Sequence, residues 1–292
     1  MASVGKELPL VVIVGPTASG KTALAINVAE RFNGEIICAD SRTIYREMNI
    51  GTAKPDLKDQ ERVKHWGIDL VDPGQRYTAA DFKAYASQKI SDIRERGKLP
   101  ILVGGTGLYV DGVIFDYQFG ADRDEEERAK LEALSTDELQ EYCIKNNIEL
   151  PENRQNRRHL VRVIEQKSIN NKRRDTPQEN TVVVGISTNK EELTRRIRER
   201  IEQMLSYGVV NEAIMLGKKY GWESEAMTGN IYRLIAELTN KGERLLDVND
   251  VDKITTRDIQ LAKKQMTWFR RNPYIRWGSI QQVEEYLVCT LS

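Results

Sequence analysis

The sequence predicts an α/β protein in which a parallel sheet is flanked by helices. Three short apolar runs do not alternate with polar residues, as is typical of parallel strands that are buried on both faces. They are LPLVVIVG (residues 8–15), GEIICAD (34–40) and KLPILVGG (98–105). Segments with helical spacing separate these runs, and strands that alternate with helices indicate a doubly wound α/β unit.

The two helices between these strands have recognisable ends. The first, KTALAINVAERFN, carries apolar residues at helical spacing, and Gly34 follows it as a stop. The second covers TAADFKAYASQKISDIRERGK, with Thr78 as its expected N-cap and Gly97 as its expected stop. These helices complete the alternation that the core requires.

The middle of the chain changes in composition. Residues 122–141 are acidic and helix-prone, whereas residues 154–174 hold eight Lys or Arg against one acid, Glu165. A fourth apolar run, TVVVGIS (181–187), then restores the strand pattern. We therefore predict a helical insertion over residues 117–180, between two strands of one core.

The predicted core has two parts, residues 1–116 and 181–292. The second part is mostly helical, because apolar residues recur there at helical spacing. Its expected helices are KEELTRRIRERIEQMLSYG, VVNEAIMLGKKYG, IYRLIAELTNKG and TTRDIQLAKKQMTWFRR.

Composition limits the class of protein. Lys plus Arg and Asp plus Glu both total 44 in 292 residues, which argues against a uniformly basic coat for nucleic acid but leaves local patches open. The three cysteines are scattered, as in a reducing cytosol, and two histidines are too few for a histidine-rich metal site. The apolar runs are far shorter than the roughly 20 residues that cross a bilayer. We expect a cytoplasmic monomer without a membrane partner.

The segment GPTASGKT, residues 15–22, fits the phosphate-binding pattern G-x-x-x-x-G-K-[ST] between a predicted strand and helix. Its glycines let backbone N–H groups surround phosphate oxygens at the positive end of the helix. Lys21 adds a charge, and the Thr22 hydroxyl is placed to bind Mg²⁺. The candidate diphosphate-binding residues are Gly15, Pro16, Thr17, Ala18, Ser19, Gly20, Lys21 and Thr22. This motif predicts a P-loop NTPase-like sheet.

The acid that usually completes an ATP-hydrolysing site is missing from its usual strand. The third apolar run ends in glycines, and no guanine-reading NKxD motif is present. Asp40 instead closes the second run and should project at the carboxyl edge of the sheet, where α/β enzymes build sites. A carboxylate that faces a phosphate loop suits a base that deprotonates an acceptor. The alternative is an N-cap for the next helix.

The segment ADSRTIYREMNIGTAKP (39–55), between GPTASGKT and GGTGLYV (104–110), resembles the tRNA dimethylallyltransferases, or tRNA isopentenyltransferases. The likeness covers nearly the whole chain in order, through IDLVDPGQRYTAADF, NRRHLVRVIE, RIRERIEQMLSYG and TTRDIQLAKKQMTWFRR. It implies transfer of the dimethylallyl group of dimethylallyl diphosphate to the N6 amine of adenosine 37 in tRNA. The sequence shows no zinc-finger extension, which favours a bacterial-type enzyme.

The resemblance also implies roles for individual residues. Asp40 would orient the amine and take its proton, while Thr17, Lys21 and Arg200 would act at the diphosphate, with Mg²⁺ held through Thr22. Arg196 is a further candidate for the diphosphate, and a surface ion pair is the alternative for either arginine. The anticodon stem-loop of tRNA would contact Asp40, Ser41, Arg42, Thr43, Thr106, Arg123, Arg158, Arg162, Arg233, Lys263, Lys264, Gln265, Trp268 and Arg270. Trp268 could equally be a core residue.

Three positions depart from the family pattern. Thr43 replaces a more usual Gln, Ile231 replaces a glycine, and Trp66 follows His65 where paired histidines are usual. Three alternatives stay open. One is a prenyltransferase for free adenine nucleotides, another is a P-loop kinase for nucleosides or small molecules, and the third is an RNA-binding protein with reduced catalysis.

Overall fold

The computed structural model describes residues 7–119, 125–166, 173–240, 246 and 248–292. Contacts divide the chain into two compact units. The first contains the residues up to Val113 together with those from Glu179 onward, and the second is Ile114–Gln178. The first unit holds the sheet and the phosphate loop, so it is described first.

Within these described ranges, the sheet has six parallel strands in the order β3-β2-β4-β1-β5-β6. The strands are β1 Leu10–Val14, β2 Gly34–Cys38, β3 His65–Trp66, β4 Leu99–Gly104, β5 Thr181–Ile186 and β6 Arg276–Gly278. The predicted α/β fold class and its four apolar strands are confirmed. Two further strands, β3 and β6, are too short to leave a periodic pattern. The second strand ends at Cys38, so Asp40 lies in the following turn and not at the strand end.

Helices occur in both units. They are α1 Lys21–Arg31, α2 Leu57–Arg62, α3 Ala79–Glu95, α4 Gly107–Ile114, α5 Glu125–Ala133, α6 Thr136–Lys145, α7 Arg157–Gln166, α8 Lys190–Ser206, α9 Val209–Tyr220, α10 Asn230–Leu238, α11 Val248–Phe269 and α12 Ile280–Leu291. Thr78 caps α3 through a capping box with Asp81, as the sequence predicts. Within the described ranges, no helix combines the length and apolarity that a membrane crossing needs.

Two apolar cores position the phosphate loop. One face of the sheet packs against α1 and α12 around buried residues such as Val11, Leu24 and Leu287. Helices α8 to α11 form a second core with Tyr45 and Met48 from the chain that follows β2. This second core fixes α8 and α11 beside the carboxyl edge of the sheet, because it joins them to a segment that starts at that edge.

The second unit is a helical insertion with its own core. Helices α5, α6 and α7 pack around buried Leu131, Leu139, Cys143, Leu160, Val161 and Ile164. An ion pair between Arg128 and Glu165, at 2.9 Å, joins α5 to α7. The side chains of Arg158 and Arg162 lie on the exposed face of α7.

Candidate active site

The phosphate loop connects β1 to α1 and has the backbone that its sequence requires. Gly20 has φ +89°, a left-handed conformation that a residue with a Cβ adopts only with strain, and α1 begins at the next residue. The side chain of Ser19 is fully buried, and Thr17 is nearly so. The positive end of α1 therefore faces the loop, as anion binding at a helix N-terminus requires.

Lys21 holds its ammonium group against the loop. Its Nζ donates a hydrogen bond to the carbonyl oxygen of Pro16, at 2.8 Å. Burial lowers the pKa of Lys21 to about 8; the negative charge of Asp40 opposes this shift, and the positive charge of Arg200 adds to it. An anion in the loop would restore favourable interactions that the buried ammonium has lost.

Thr17 is held from two helices. A guanidinium NH of Arg200, on α8, donates to the Thr17 hydroxyl, and the Thr17 backbone N–H donates to Oε1 of Gln265, on α11, at 2.8 Å. One turn earlier on α8, Arg196 donates to the Ser19 carbonyl at 3.4 Å and is also paired with Glu192 at 2.7 Å. Arg196 thus makes an ion pair and also contacts the loop.

Asp40 closes a turn and faces the same cavity as the loop. Its Oδ1 accepts a hydrogen bond from the backbone N–H of Arg42 at 2.8 Å. The residues that follow form turns and no helix, so the N-cap alternative is wrong. The second oxygen, Oδ2, has no hydrogen-bond donor among the described residues. That oxygen can accept a proton or a hydrogen bond from a ligand.

A cavity of about 720 Å³ joins the phosphate loop to Asp40. Its volume lies within the range of roughly 300–1,000 Å³ that is typical of small-molecule sites. One wall carries Lys21, Arg196 and Arg200, whereas the apolar lining includes Cys38, Val103, Met204, Ile231 and Leu261. The cavity therefore offers cationic groups for a diphosphate and an apolar surface for a hydrocarbon group.

Glycines at the end of β4 keep the gap between Asp40 and the loop open. The strand order places β4 between β2 and β1, so its end separates the two functional groups. A Cβ at Gly104 would lie 2.0 Å from the carbonyl oxygen of Ala39, and a Cβ at Gly105 would lie 2.4 Å from Nε2 of Gln265. This close packing explains why the run ends in glycine and not in a metal-binding acid.

Hydrogen bonds within the chain fix the side of the cavity that carries Asp40. The Thr106 hydroxyl accepts from the backbone N–H of Ser41 at 3.0 Å. The guanidinium of Arg42 donates to the carbonyl oxygens of Glu225, at 2.9 Å, and Ala226, at 3.4 Å. Arg42 thereby holds the segment before α10 against the turn that carries Asp40.

Two of the three unusual residues lie in the cavity wall. Thr43 and Ile231 both line it. Trp66 is not among the lining residues; its indole N–H donates to Oε2 of Glu35 at 2.8 Å. Thr43 and Ile231 can therefore change what the cavity accepts, whereas Trp66 contributes to an ion-pair cluster elsewhere on the sheet.

Helix α11 presents different residues to its two sides. Trp268 is half-buried, lies against Gly107 and donates its indole N–H to Asp111 at 2.7 Å, which favours the core alternative for this residue. Lys263, Lys264 and Arg270 are exposed. The exposed side of α11 is therefore cationic, and its inner side supports the site.

The remaining predicted RNA contacts are spread over the chain. Arg233 is exposed on α10 and forms an ion pair with Glu237 at 2.9 Å. Arg158 and Arg162 are exposed on α7. Arg123 lies outside the described residues.

Glu212, on α9, is a supporting residue that the sequence did not indicate as one. Its buried carboxylate accepts from the backbone N–H groups of Asn49, Ile50 and Gly51 at 2.9–3.2 Å. It also accepts from the Tyr232 hydroxyl at 2.7 Å, and burial beside this carboxylate raises the pKa of that hydroxyl. Gly51 and Tyr232 line the cavity, so Glu212 fixes one of its walls.

We expect Glu212→Gln to destabilise the fold by about 2–3 kcal/mol, because its amide NH₂ would face backbone donors that need an acceptor. Urea denaturation followed by circular dichroism measures the change. The exposed Glu223→Gln is the matched control and should change the free energy of unfolding by less than about 0.5 kcal/mol. Equal stabilities for the two variants would contradict the role of Glu212.

Residues 43–272 match the family described as IPP transferase, and residues 8–70 match the family described as isopentenyl transferase. The chain belongs to the IPP transferase family. The tRNA dimethylallyltransferase of Acetivibrio thermocellus is 39% identical over 92% of this chain and 90% of that protein. The tRNA dimethylallyltransferase of Staphylococcus epidermidis is 37% identical over 92% of this chain and 86% of that protein.

Solved structures of IPP transferases share the fold. The full-length tRNA isopentenylpyrophosphate transferase of Bacillus halodurans superimposes with a TM-score of 0.74 at 32% identity, over 98% of this chain and 97% of that one. A eukaryotic dimethylallyltransferase acting on tRNA gives a TM-score of 0.73 at 25% identity, over 90% of this chain and 70% of that one. The resemblance expected from the sequence is thus confirmed along most of the chain.

Proposed function

We propose that this protein transfers the dimethylallyl group of dimethylallyl diphosphate to the N6 amine of a tRNA adenosine and releases diphosphate. The observation that supports this reaction is the cavity in which the phosphate loop and Asp40 lie on either side of the end of β4. The names of the relatives support the same substrate class. Among the described residues, no particular contact favours a kinase or a prenyltransferase for free adenine nucleotides.

The proposed reaction forms a bond between N6 and the allylic carbon and breaks the bond between that carbon and the diphosphate oxygen. Asp40 accepts the proton that leaves N6, which makes the weakly nucleophilic amine more reactive. The electron pair of the broken bond goes to the diphosphate. Lys21 and Arg200, which both contact the phosphate loop, would stabilise the negative charge that grows there.

We further propose that Mg²⁺ accompanies the diphosphate. Among the described residues, no group of three or more His, Cys, Asp or Glu side chains could hold a metal ion. Thr22 has an exposed side chain at the start of α1 and lines the cavity, so its hydroxyl could serve as one ligand of Mg²⁺. Mg²⁺ commonly takes few protein ligands and keeps water and substrate phosphate oxygens. It would supply further positive charge to the leaving group.

The acceptor in this proposal is adenosine 37 of an anticodon stem-loop, bound by a protein monomer. A base must leave its stack to reach a cavity of this kind, so an exposed loop is a suitable substrate. Asp40, Ser41, Arg42, Thr43 and Thr106 would surround the base. Exposed cations on α7 and α11 would contact phosphates, which hold the RNA in register.

A transfer assay with a labelled dimethylallyl group tests the proposed function. The protein should label a stem-loop that carries adenosine at position 37, and a stem-loop with guanosine there should stay unlabelled. Labelling of free AMP in preference to the stem-loop, or ATP-dependent phosphorylation without prenyl transfer, would contradict the proposal.

We expect Lys264→Ala and Arg158→Ala to weaken stem-loop binding. Each variant should also reduce the magnitude of the slope of log K, the association constant for the stem-loop, against the logarithm of the salt concentration by about 1. Both residues are exposed cations that would each neutralise one phosphate. Fluorescence anisotropy at several salt concentrations measures the slope. Lys218→Ala, an exposed cation on α9, should keep the parental slope. Parental slopes in both test variants would show that the RNA binds elsewhere.

A further inference from the structure

We propose that Gln265 is a positioning residue that couples RNA docking on α11 to diphosphate binding in the phosphate loop. The inference rests on the proposed function, because it takes the loop and the exposed side of α11 as two binding surfaces. It gives Gln265 a part different from the direct RNA contact expected from the sequence.

The amide of Gln265 contacts the main chain of the phosphate loop. Its Oε1 accepts the hydrogen bond from the backbone N–H of Thr17 at 2.8 Å. The Thr17 hydroxyl accepts from Arg200 at the same time. Thr17 is therefore held through its main chain by α11 and through its side chain by α8, and a shift of either helix would move the loop.

Close packing leaves the Gln265 amide little freedom. A Cβ at Gly105 would lie 2.4 Å from Nε2 of Gln265, too near for any residue but glycine unless the amide moves. The amide thus lies between the phosphate loop and the end of β4. Because that end also separates the loop from Asp40, the position of Gln265 affects the gap between donor and acceptor.

Helix α11 joins this contact to the exposed cations. Lys263 and Lys264 are exposed, whereas Leu261 and Gln265 line the cavity on the inner side of the same helix. Phosphates bound to the lysines would fix α11, and a fixed α11 holds the Thr17 peptide in place through Gln265. Coupling between two binding sites is reciprocal, so diphosphate would tighten RNA binding by the same factor.

The variant Gln265→Met tests the coupling, because methionine has a similar volume and no strong acceptor. Gln260→Met makes the same substitution on the exposed side of α11 and is the matched control. Titration calorimetry with inorganic diphosphate and Mg²⁺, with and without saturating stem-loop, measures the coupling. We expect RNA to tighten diphosphate binding roughly tenfold in the parent and in Gln260→Met, and less than about twofold in Gln265→Met.

Affinity for the stem-loop without diphosphate should stay within about twofold of the parent in both variants, since Gln265 makes no RNA contact in this proposal. Gly105→Ala provides a second test, because its methyl group would displace the amide from the other side and should also remove the coupling. Thermal unfolding checks that each variant is folded.

Parental coupling in Gln265→Met, or no coupling in the parent, would overturn the inference. Weaker RNA binding by Gln265→Met without diphosphate would overturn it too, since Gln265 would then be an RNA contact. Prenyl transfer by the parent separates this test from the proposed function. A parent that couples without transferring contradicts the function alone, and one that transfers without coupling contradicts this inference alone.

Discussion

The Asp40→Asn variant should lose about three orders of magnitude in the rate of prenyl transfer, since positioned general bases contribute roughly 10²–10⁴-fold. Asparagine keeps an oxygen that can accept from the backbone N–H of Arg42, so the turn should persist. It cannot take the proton of the adenine amine at neutral pH. Single-turnover kinetics with the stem-loop and the labelled donor measures the chemical step.

Two controls accompany this variant. Asp72→Asn replaces an exposed carboxylate that is paired with Arg46, and its transfer rate should stay near that of the parent. Stem-loop affinity of Asp40→Asn should change little, because the lost group acts on a proton and not on the RNA backbone. An unchanged transfer rate in Asp40→Asn would show that another group accepts the proton.

The parts of the site that the sequence predicted well are local in the chain. The phosphate loop is one run of eight residues between a strand and a helix, so its motif and context fix its conformation together. The position of Asp40 followed from one rule, that parallel strands end at a common edge. The strand proved two residues shorter than predicted, yet the cavity still contains both Asp40 and Lys21.

The parts that the sequence did not predict depend on contacts between distant residues. Gln265 binds Thr17 across 248 positions, and Glu212 binds the backbone of Asn49 across 163 positions. Neither pairing changes a local pattern. One signal was available for Glu212, which lies at helical spacing between Val209 and Leu216, both buried. A charged residue on an apolar face needs partners, and this requirement could have marked it.

Trp66 shows that a departure from the family pattern does not by itself identify a residue of the cavity. Trp66 stands at a position that departs from the family pattern, and its neighbour His65 lines the cavity. Successive side chains of a strand point to opposite faces, however, and β3 places the two residues on different sides of the sheet. Trp66 instead joins the cluster of Glu35 with Arg96 and Lys98.

The Lys21→Met variant should lose roughly 10²–10³-fold in kcat/KM, the usual cost of removing one group that stabilises developing negative charge. The variant keeps most of the length of the side chain and removes its charge, so binding and departure of the diphosphate should both weaken. Steady-state kinetics with varied donor concentration measures the loss. Lys89→Met removes a partly buried ion pair with Asp92 that does not line the cavity, and this variant should retain parental kinetics.

The pH dependence of donor binding tests the same residue without changing the cavity. Burial lowers the pKa of Lys21 to about 8, so in the empty protein the ammonium is mostly charged below pH 8 and loses its proton above it. In the proposed mechanism the charged form binds dimethylallyl diphosphate, and the affinity for this donor should therefore fall about tenfold per pH unit as the pH rises beyond that value. Lys21→Arg stays charged over this range and should bind dimethylallyl diphosphate independently of pH from 8 to 9.5, although less tightly because its geometry differs. A parental profile in Lys21→Arg would assign the pH dependence to another group, and the cationic contact of Lys21 with the leaving group would then lose its support.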